Sequence, residues 1–201
     1  GLGDVYKRQL PPGNYLLSMA ITSQDFKAIG AQYYEFSLPD PFSFTETLET
    51  TPIFFVKNIK QVAAPETIAD IHKDFFAYSI LQIEPNLEKV ISPQENLDIF
   101  FYIFGTQANA QEQTDIDVHF EVFQEEELVI NFAAQKYNSP LVSQPLPMKK
   151  TVLVKTTKGT ETTETRERRD LEPGTYTLSI DIKDNIAGKT VKKTIDFEVR
   201  D

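Results

Sequence analysis

Two histidines, His72 and His119, are the only imidazoles among 201 residues, and each stands in a different chemical setting. His119 belongs to the run Asp115-Ile116-Asp117-Val118-His119-Phe120-Glu121. On a β-strand, residues two apart point the same way, so Asp115, Asp117, His119 and Glu121 share one face. Imidazole and carboxylate are metal-ligand types. Same-face neighbours along one strand stand about 7 Å apart, however, so closing a site requires a ligand from an adjacent strand. The sequence does not identify that strand. The row therefore reads as a solvated outer face opposite Ile116, Val118 and Phe120, and no metal is assigned to it. His72 falls in a connector with no evident partner. Asp181, Asp184 and Asn185 offer oxygen ligands of the kind calcium takes, but their spacing matches no calcium loop. They read as the turn of a hairpin.

Other chemistries lack their raw material. With no cysteine, the chain has no thiolate nucleophile, Cys-based zinc site or disulfide. Its 8 glycines include no phosphate-cradling loop, and no Gly-x-Ser-x-Gly elbow occurs. Carboxylates are plentiful, but none sits in a recognisable catalytic frame. The expectation is a non-enzymatic chain without cofactors. A net charge of −10 opposes binding to phosphate backbones and to anionic membrane surfaces. The dense basic run Arg166-Glu167-Arg168-Arg169 reads as a solvated strand face. The longest apolar stretch, Ile99 to Phe104, is far short of the roughly 20 residues that span a bilayer. The expected partners are other domains of the same chain and an envelope protein, with no nucleic acid and no membrane insertion.

The elements that must position these residues are strands. Ile116 to Phe123 alternates apolar and polar side chains, as do Asn14 to Thr22, Gln32 to Leu38, Thr175 to Lys183 and Thr190 to Arg200. That period of two marks half-buried strands. Leu97 to Phe104 is the most strand-like run. Val152 to Thr156 and Glu161 to Arg169 read as a hairpin around Lys158-Gly159, and Asn138 to Pro147 as a loop. Helical periodicity is weak and confined to Glu66–Phe76. Seven or more short strands between regularly spaced turns predict an all-β, antiparallel, Ig-like β-sandwich.

One pattern occurs twice without gaps, 161 residues apart: Leu10-Pro11-Pro12-Gly13-Asn14-Tyr15-Leu16-Leu17-Ser18 and Leu171-Glu172-Pro173-Gly174-Thr175-Tyr176-Thr177-Leu178-Ser179. The register continues through Ile21/Ile182, Phe36/Phe197 and Leu38/Val199. The pattern predicts the closing hairpin of one sandwich followed by a whole sandwich. In such folds a Tyr near the start of the penultimate strand hydrogen-bonds back across the preceding corner, two residues before a core position. Tyr15 and Tyr176 hold that place. Pro173 presets its own φ and Gly174 accepts a positive one, so these are structural corner residues. The expected domains are a C-terminal hairpin at 10–40, a connector with a short strand at 41–75, and a complete sandwich at 76–201. Residues 1–9 resemble the translated read-through of a transposon-derived sequencing adapter, which makes the chain a fragment truncated at its N-terminus.

If Leu97, Ile99, Phe101 and Ile103 face the core, then Phe100, Tyr102 and Phe104 face outward. Outward aromatics are unusual on a solvated sheet. This strip is the possible interaction surface, and three coverings suit it: a preceding domain or the linker, the Thr51–Lys57 strand or the Gln135–Pro147 loop, or a protein or sugar ligand.

Leu-x-Pro-Gly-x-Tyr-x-Leu-Ser-Ile-x-Ile-x-Asp at Leu171–Asp184, closing in Ile195-Asp196-Phe197-Glu198-Val199, resembles the end of bacterial immunoglobulin-like or fibronectin-like modules of exported proteins. The order Thr51-Pro52-Ile53-Phe54, Ile83-Glu84-Pro85 and Leu97-Asp98-Ile99-Phe100-Phe101-Tyr102 is similar to the C-terminal β region of GWxTD-domain envelope proteins, although the chain has no Trp and thus no Gly-Trp-x-Thr-Asp signature. The resemblance implies export to the periplasm, outer envelope or medium. It also implies a structural or protein-interaction role. A carbohydrate-binding accessory module of a secreted enzyme is the alternative.

Overall fold

A computed structural model describes residues 10–61, 76–78, 80–158 and 161–201. His72, the Glu66–Phe76 segment apart from Phe76, the first nine residues and Gly159 lie outside the described residues. The chain divides into two compact units, Gly1–Thr47 and Leu48–Asp201.

In the first unit, β1 (Gly13–Thr22) and β2 (Ile29–Leu38) pair antiparallel over ten residues, from Gly13↔Leu38 to Thr22↔Ile29. A 3-10 turn follows at Pro41–Thr45, capped by the Asp40 carboxylate accepting from the Phe42 amide at 2.9 Å.

The second unit is a β-sandwich. Its strands are β3 (Glu49–Thr50), β4 (Phe54–Gln61), β5 (Phe76–Tyr78), β6 (Leu81–Pro85), β7 (Val90–Ile91), β8 (Asn96–Phe104), β9 (Ile116–Gln124), β10 (Glu127–Asn131), β11 (Gln135–Tyr137), β12 (Leu141–Pro147), β13 (Lys149–Lys158), β14 (Glu161–Asp170), β15 (Gly174–Asp184) and β16 (Thr190–Val199). One sheet runs β10-β9-β15-β16-β7, with β11 also on β9; the other runs β12-β8-β4-β6-β5, with β3 also on β8. All neighbours are antiparallel except β7, which lies parallel to β16. No α-helix occurs among the described residues.

Alternation explains the core. Leu97, Ile99, Phe101 and Ile103 of β8, Ile116, Val118, Phe120 and Val122 of β9, and Tyr176, Leu178, Ile180 and Ile182 of β15 are all buried in one cluster. Every second residue of each strand meets its counterparts from the facing sheet, as a two-layer sandwich demands.

Two expectations need correction. The compact unit begins at Leu48, not at Phe76. The strand assigned to the connector is β4, and it lies inside its sheet, between β8 and β6. Leu48 and Phe55 join the main core, so burial draws this segment in. The supposed loop Asn138–Pro147 contains β12, which pairs with β8 from Leu141↔Tyr102 to Pro147↔Asn96. Pro145 and Pro147 are tolerated because β12 is an edge strand, where a missing N–H breaks no ladder on the open side. Its Val142 and Leu146 are buried, the same-face spacing of a strand.

Candidate functional site

Four places carry the residues singled out by type and spacing. The first is the pair of corners. Pro173-Gly174 leads into β15, with Gly174 at φ +158°, a region closed to most side chains. A Cβ there would meet Gln124 Nε2 at 3.2 Å. The Tyr176 hydroxyl donates to the Glu172 carbonyl at 2.8 Å, and its ring stacks on Phe197 with centroids 5.7 Å apart. Burial pushes the Tyr176 phenol above its ordinary range. In the first unit Gly13 has φ +153°, the Tyr15 hydroxyl donates to the Pro11 carbonyl at 2.5 Å, and Tyr15 stacks on Phe36 at 5.4 Å. Tyr15↔Phe36 and Tyr176↔Phe197 are opposed cross-strand pairs.

The second is the aromatic strip. Phe100 is 4% exposed, not outward and open. It forms a second apolar cluster with Val56 and Ile83, against which Phe54, Ile59, Leu81 and Leu141 pack. The cause is sheet order: β4 places Phe54 directly opposite Phe100, and β12 brings Leu141 opposite Tyr102. A central strand with neighbours on both sides can be apolar on both faces. Tyr102 and Phe104 remain half-buried, with ring centroids 5.2 Å apart and tilted by 52°. The Thr51 amide donates to the Tyr102 carbonyl, and the Tyr102 amide to Thr51 Oγ1. Asp98 lies beside this cluster with one carboxylate oxygen buried and without a hydrogen bond. Burial raises its pKa.

The third is the charged face of the β9–β15–β16 sheet. Asp115 and Asp117 are drawn to Lys136 (3.7 and 3.3 Å) and to Asn185 Nδ2 (3.2 and 2.9 Å). The Asn185 hydrogen bond, reinforced by Lys136, holds the Asp117 carboxyl below its ordinary value. His119, which the sequence groups with them, turns elsewhere: Nε2 lies 2.8 Å from Asn131 Oδ1. Asp181 of β15 is directly opposite His119, so the adjacent strand that sequence could not identify is β15. The calcium-like triplet is dispersed. Asp184 is fully buried and spends its carboxylate on three backbone amides, those of Gln107 (2.7 Å), Ile186 (2.9 Å) and Ala187 (3.1 Å). It ties the turn after β15 to the segment after β8, which is structural work.

The fourth place is the hairpin expected around Lys158-Gly159, and its net charge is the feature that the reading of the basic run alone misses. β13 and β14 pair with each other over ten residues and with no other strand among the described residues, and the start of β13 approaches β10. Residues 149–170 hold seven of the chain's 20 Lys and Arg but only four of its 30 Asp and Glu. The segment is +3 on a chain of −10, which leaves −13 for the rest. A running charge count over 149–170 reveals this excess, which the arginine run alone does not.

A groove of about 580 Å³ lies between the β3–β4 segment and β16 and is lined by Ile53, Phe54, Leu87, Ile195, Lys89 and Lys193 among others. Its described lining includes no His, Asp or Glu, so it offers no carboxylate or imidazole for general acid–base chemistry. No helix among the described residues is long and apolar enough to cross a membrane. Searches against protein-family models and curated proteins find no match to the chain.

Proposed function

We propose that this chain is part of a row of β-sandwich modules in an exported bacterial protein, and that it acts by holding and contacting other protein domains rather than by catalysis. The β1–β2 hairpin is the closing ribbon of a second module of the same kind. Its register, corner hydrogen bond, glycine φ and aromatic stack all agree with those of β15–β16.

The observation that carries the interaction role is the β13–β14 ribbon. A ribbon with no third strand beside it offers a template for one. Complementary charge steers such an encounter. A basic ribbon on an otherwise acidic chain suits an acidic protein surface, and a neighbouring module of this composition is one. The sugar-binding alternative relied on an exposed aromatic platform, and Phe100 is not available for it.

Cross-linking mass spectrometry on the full-length gene product, with an amine-to-carboxylate reagent, tests this proposal. Links from Lys149, Lys150 and Lys155 to acidic residues of an adjacent module are expected. Links confined to the ribbon's own module, or turnover of a substrate by residues 48–201, would overturn it.

A further inference from the structure

On the sheet face that points away from the core, β9 and β15 bring four side chains into one two-by-two patch. His119 is opposite Asp181, and Glu121 is opposite Ser179. A ring nitrogen of His119 and one carboxylate oxygen each from Glu121 and Asp181 lie within 4.8 Å of one another. All three side chains are half-buried. The fourth corner points to the same place independently. Ser179 is only 2% exposed, and its hydroxyl has no hydrogen-bond partner. A buried hydroxyl without a partner is costly, and β15 sets this one on the same sheet face as the three candidate ligands.

We propose that His119, Glu121 and Asp181 form a surface site for a divalent transition-metal ion of the zinc type. The Ser179 hydroxyl meets a water on that ion. One imidazole and two carboxylates are three protein ligands, which leaves an open position. Two carboxylates balance the ion's double charge. The imidazole argues against calcium and magnesium, which take oxygen ligands.

The surroundings suit the assignment. Asn131 Oδ1, 2.8 Å from Nε2, accepts its hydrogen in the neutral ring, leaving Nδ1 with the lone pair and fixing the ring's orientation. Lys192, opposite Asp181, holds that carboxylate at 3.1 Å in a pair open to solvent. Such pairs contribute little, so a divalent cation displaces it. Ligand atoms about 2.0–2.2 Å from zinc stand about 3.4 Å apart. With the His119 ring held by Asn131, the Glu121 and Asp181 carboxylates are the groups that must turn to close the present spacing.

The test is a Zn²⁺ titration of the folded 201-residue chain, stripped with EDTA, read by calorimetry and by competition with a chromogenic chelator. One ion per chain is expected. His119→Ala and the isosteric Asp181→Asn each weaken binding at least about tenfold, the order of loss seen when a supporting group of a metal site is removed. Lys192→Ala tightens it, and Glu167→Gln on the ribbon leaves it unchanged. Unfolding midpoints measured in EDTA confirm that the variants are folded. Absence of binding below millimolar Zn²⁺, equal affinity in wild type and Asp181→Asn, or displacement by equimolar Ca²⁺ would each refute the site.

Discussion

The β1–β2 and β15–β16 hairpins share one backbone design but differ entirely in surroundings. Leu17 is 45% exposed where Leu178 is 0%, and Ile21 is 80% exposed where Ile182 is 1%. Yet the cross-strand register, the corner tyrosine and the ring stack agree. Local chemistry thus suffices for the ribbon: a proline–glycine turn, an alternating strand and a hydroxyl reaching four residues back. Burial is not local. It is supplied by β9 and by the facing sheet, which only the second unit has in the described residues. Two-stranded ribbons alone are marginal in water, so the energy of this fold resides in what the ribbon packs against.

The comparison is broken most severely by removing that packing. A chain of residues 48–201 is expected to unfold cooperatively at the urea midpoint of the whole chain. A chain of residues 76–201 loses β3 and β4, and with them the strand between β8 and β6. It is expected to show no cooperative transition. A folded 76–201 would restore the boundary that the sequence suggested.

The next effect is a matched truncation of side chains. Leu178→Ala is expected to cost about 2–5 kcal/mol, the range for emptying a packed site. Leu17→Ala, at the equivalent place, should stay within about 0.5 kcal/mol. Equal losses in urea denaturation would mean that the two hairpins are equally embedded.

Smaller still is the corner hydrogen bond. Tyr176→Phe should lower stability by about 1 kcal/mol, a typical net contribution. Tyr15→Phe should leave the cooperative transition where it was. Unchanged midpoints for Tyr176→Phe would show the hydroxyl to be incidental.

The smallest effect is electrostatic. Burial raises the Asp98 pKa above its ordinary 3.8, so the folded state binds the proton more tightly than the unfolded state. Stability then falls as pH rises from the ordinary value through the raised one, and the deficit persists at neutral pH. Asp98→Asn should raise the melting temperature at pH 7 and do nothing at pH 2.5, where both states are protonated. A larger gain at pH 2.5 than at pH 7 would reverse the sign of this account.

Much of the fold was legible because alternation is a strong signal. β8, β9, β15 and β16 fall where the apolar period of two places them, and their inward apolar residues lie in or pack against the main core. The errors share a physical cause, in that sheet neighbours are chosen by tertiary packing. Nothing local in Pro145 and Pro147 says that β12 will be an edge strand on which they are harmless. Nothing local in Thr51–Lys57 says that Phe55 will be claimed by the core. Parity alone puts Phe100 on an outer surface, and parity cannot reveal that β4 places Phe54 opposite it. Likewise, the ligand types around His119 were visible, but Asp181 became their neighbour only through the register of β15. The corner, by contrast, was readable in full, because its hydrogen bond spans only four residues.

Hydrogen exchange of the backbone amides in the 201-residue chain tests the central claim directly, since β1 and β15 share a register and differ only in what covers them. Amides of Leu178 and Ile180 are expected to exchange only through global unfolding, and those of Leu17 and Met19 orders of magnitude faster. Equal protection along the two strands would contradict the assignment of a packed core to the second unit alone.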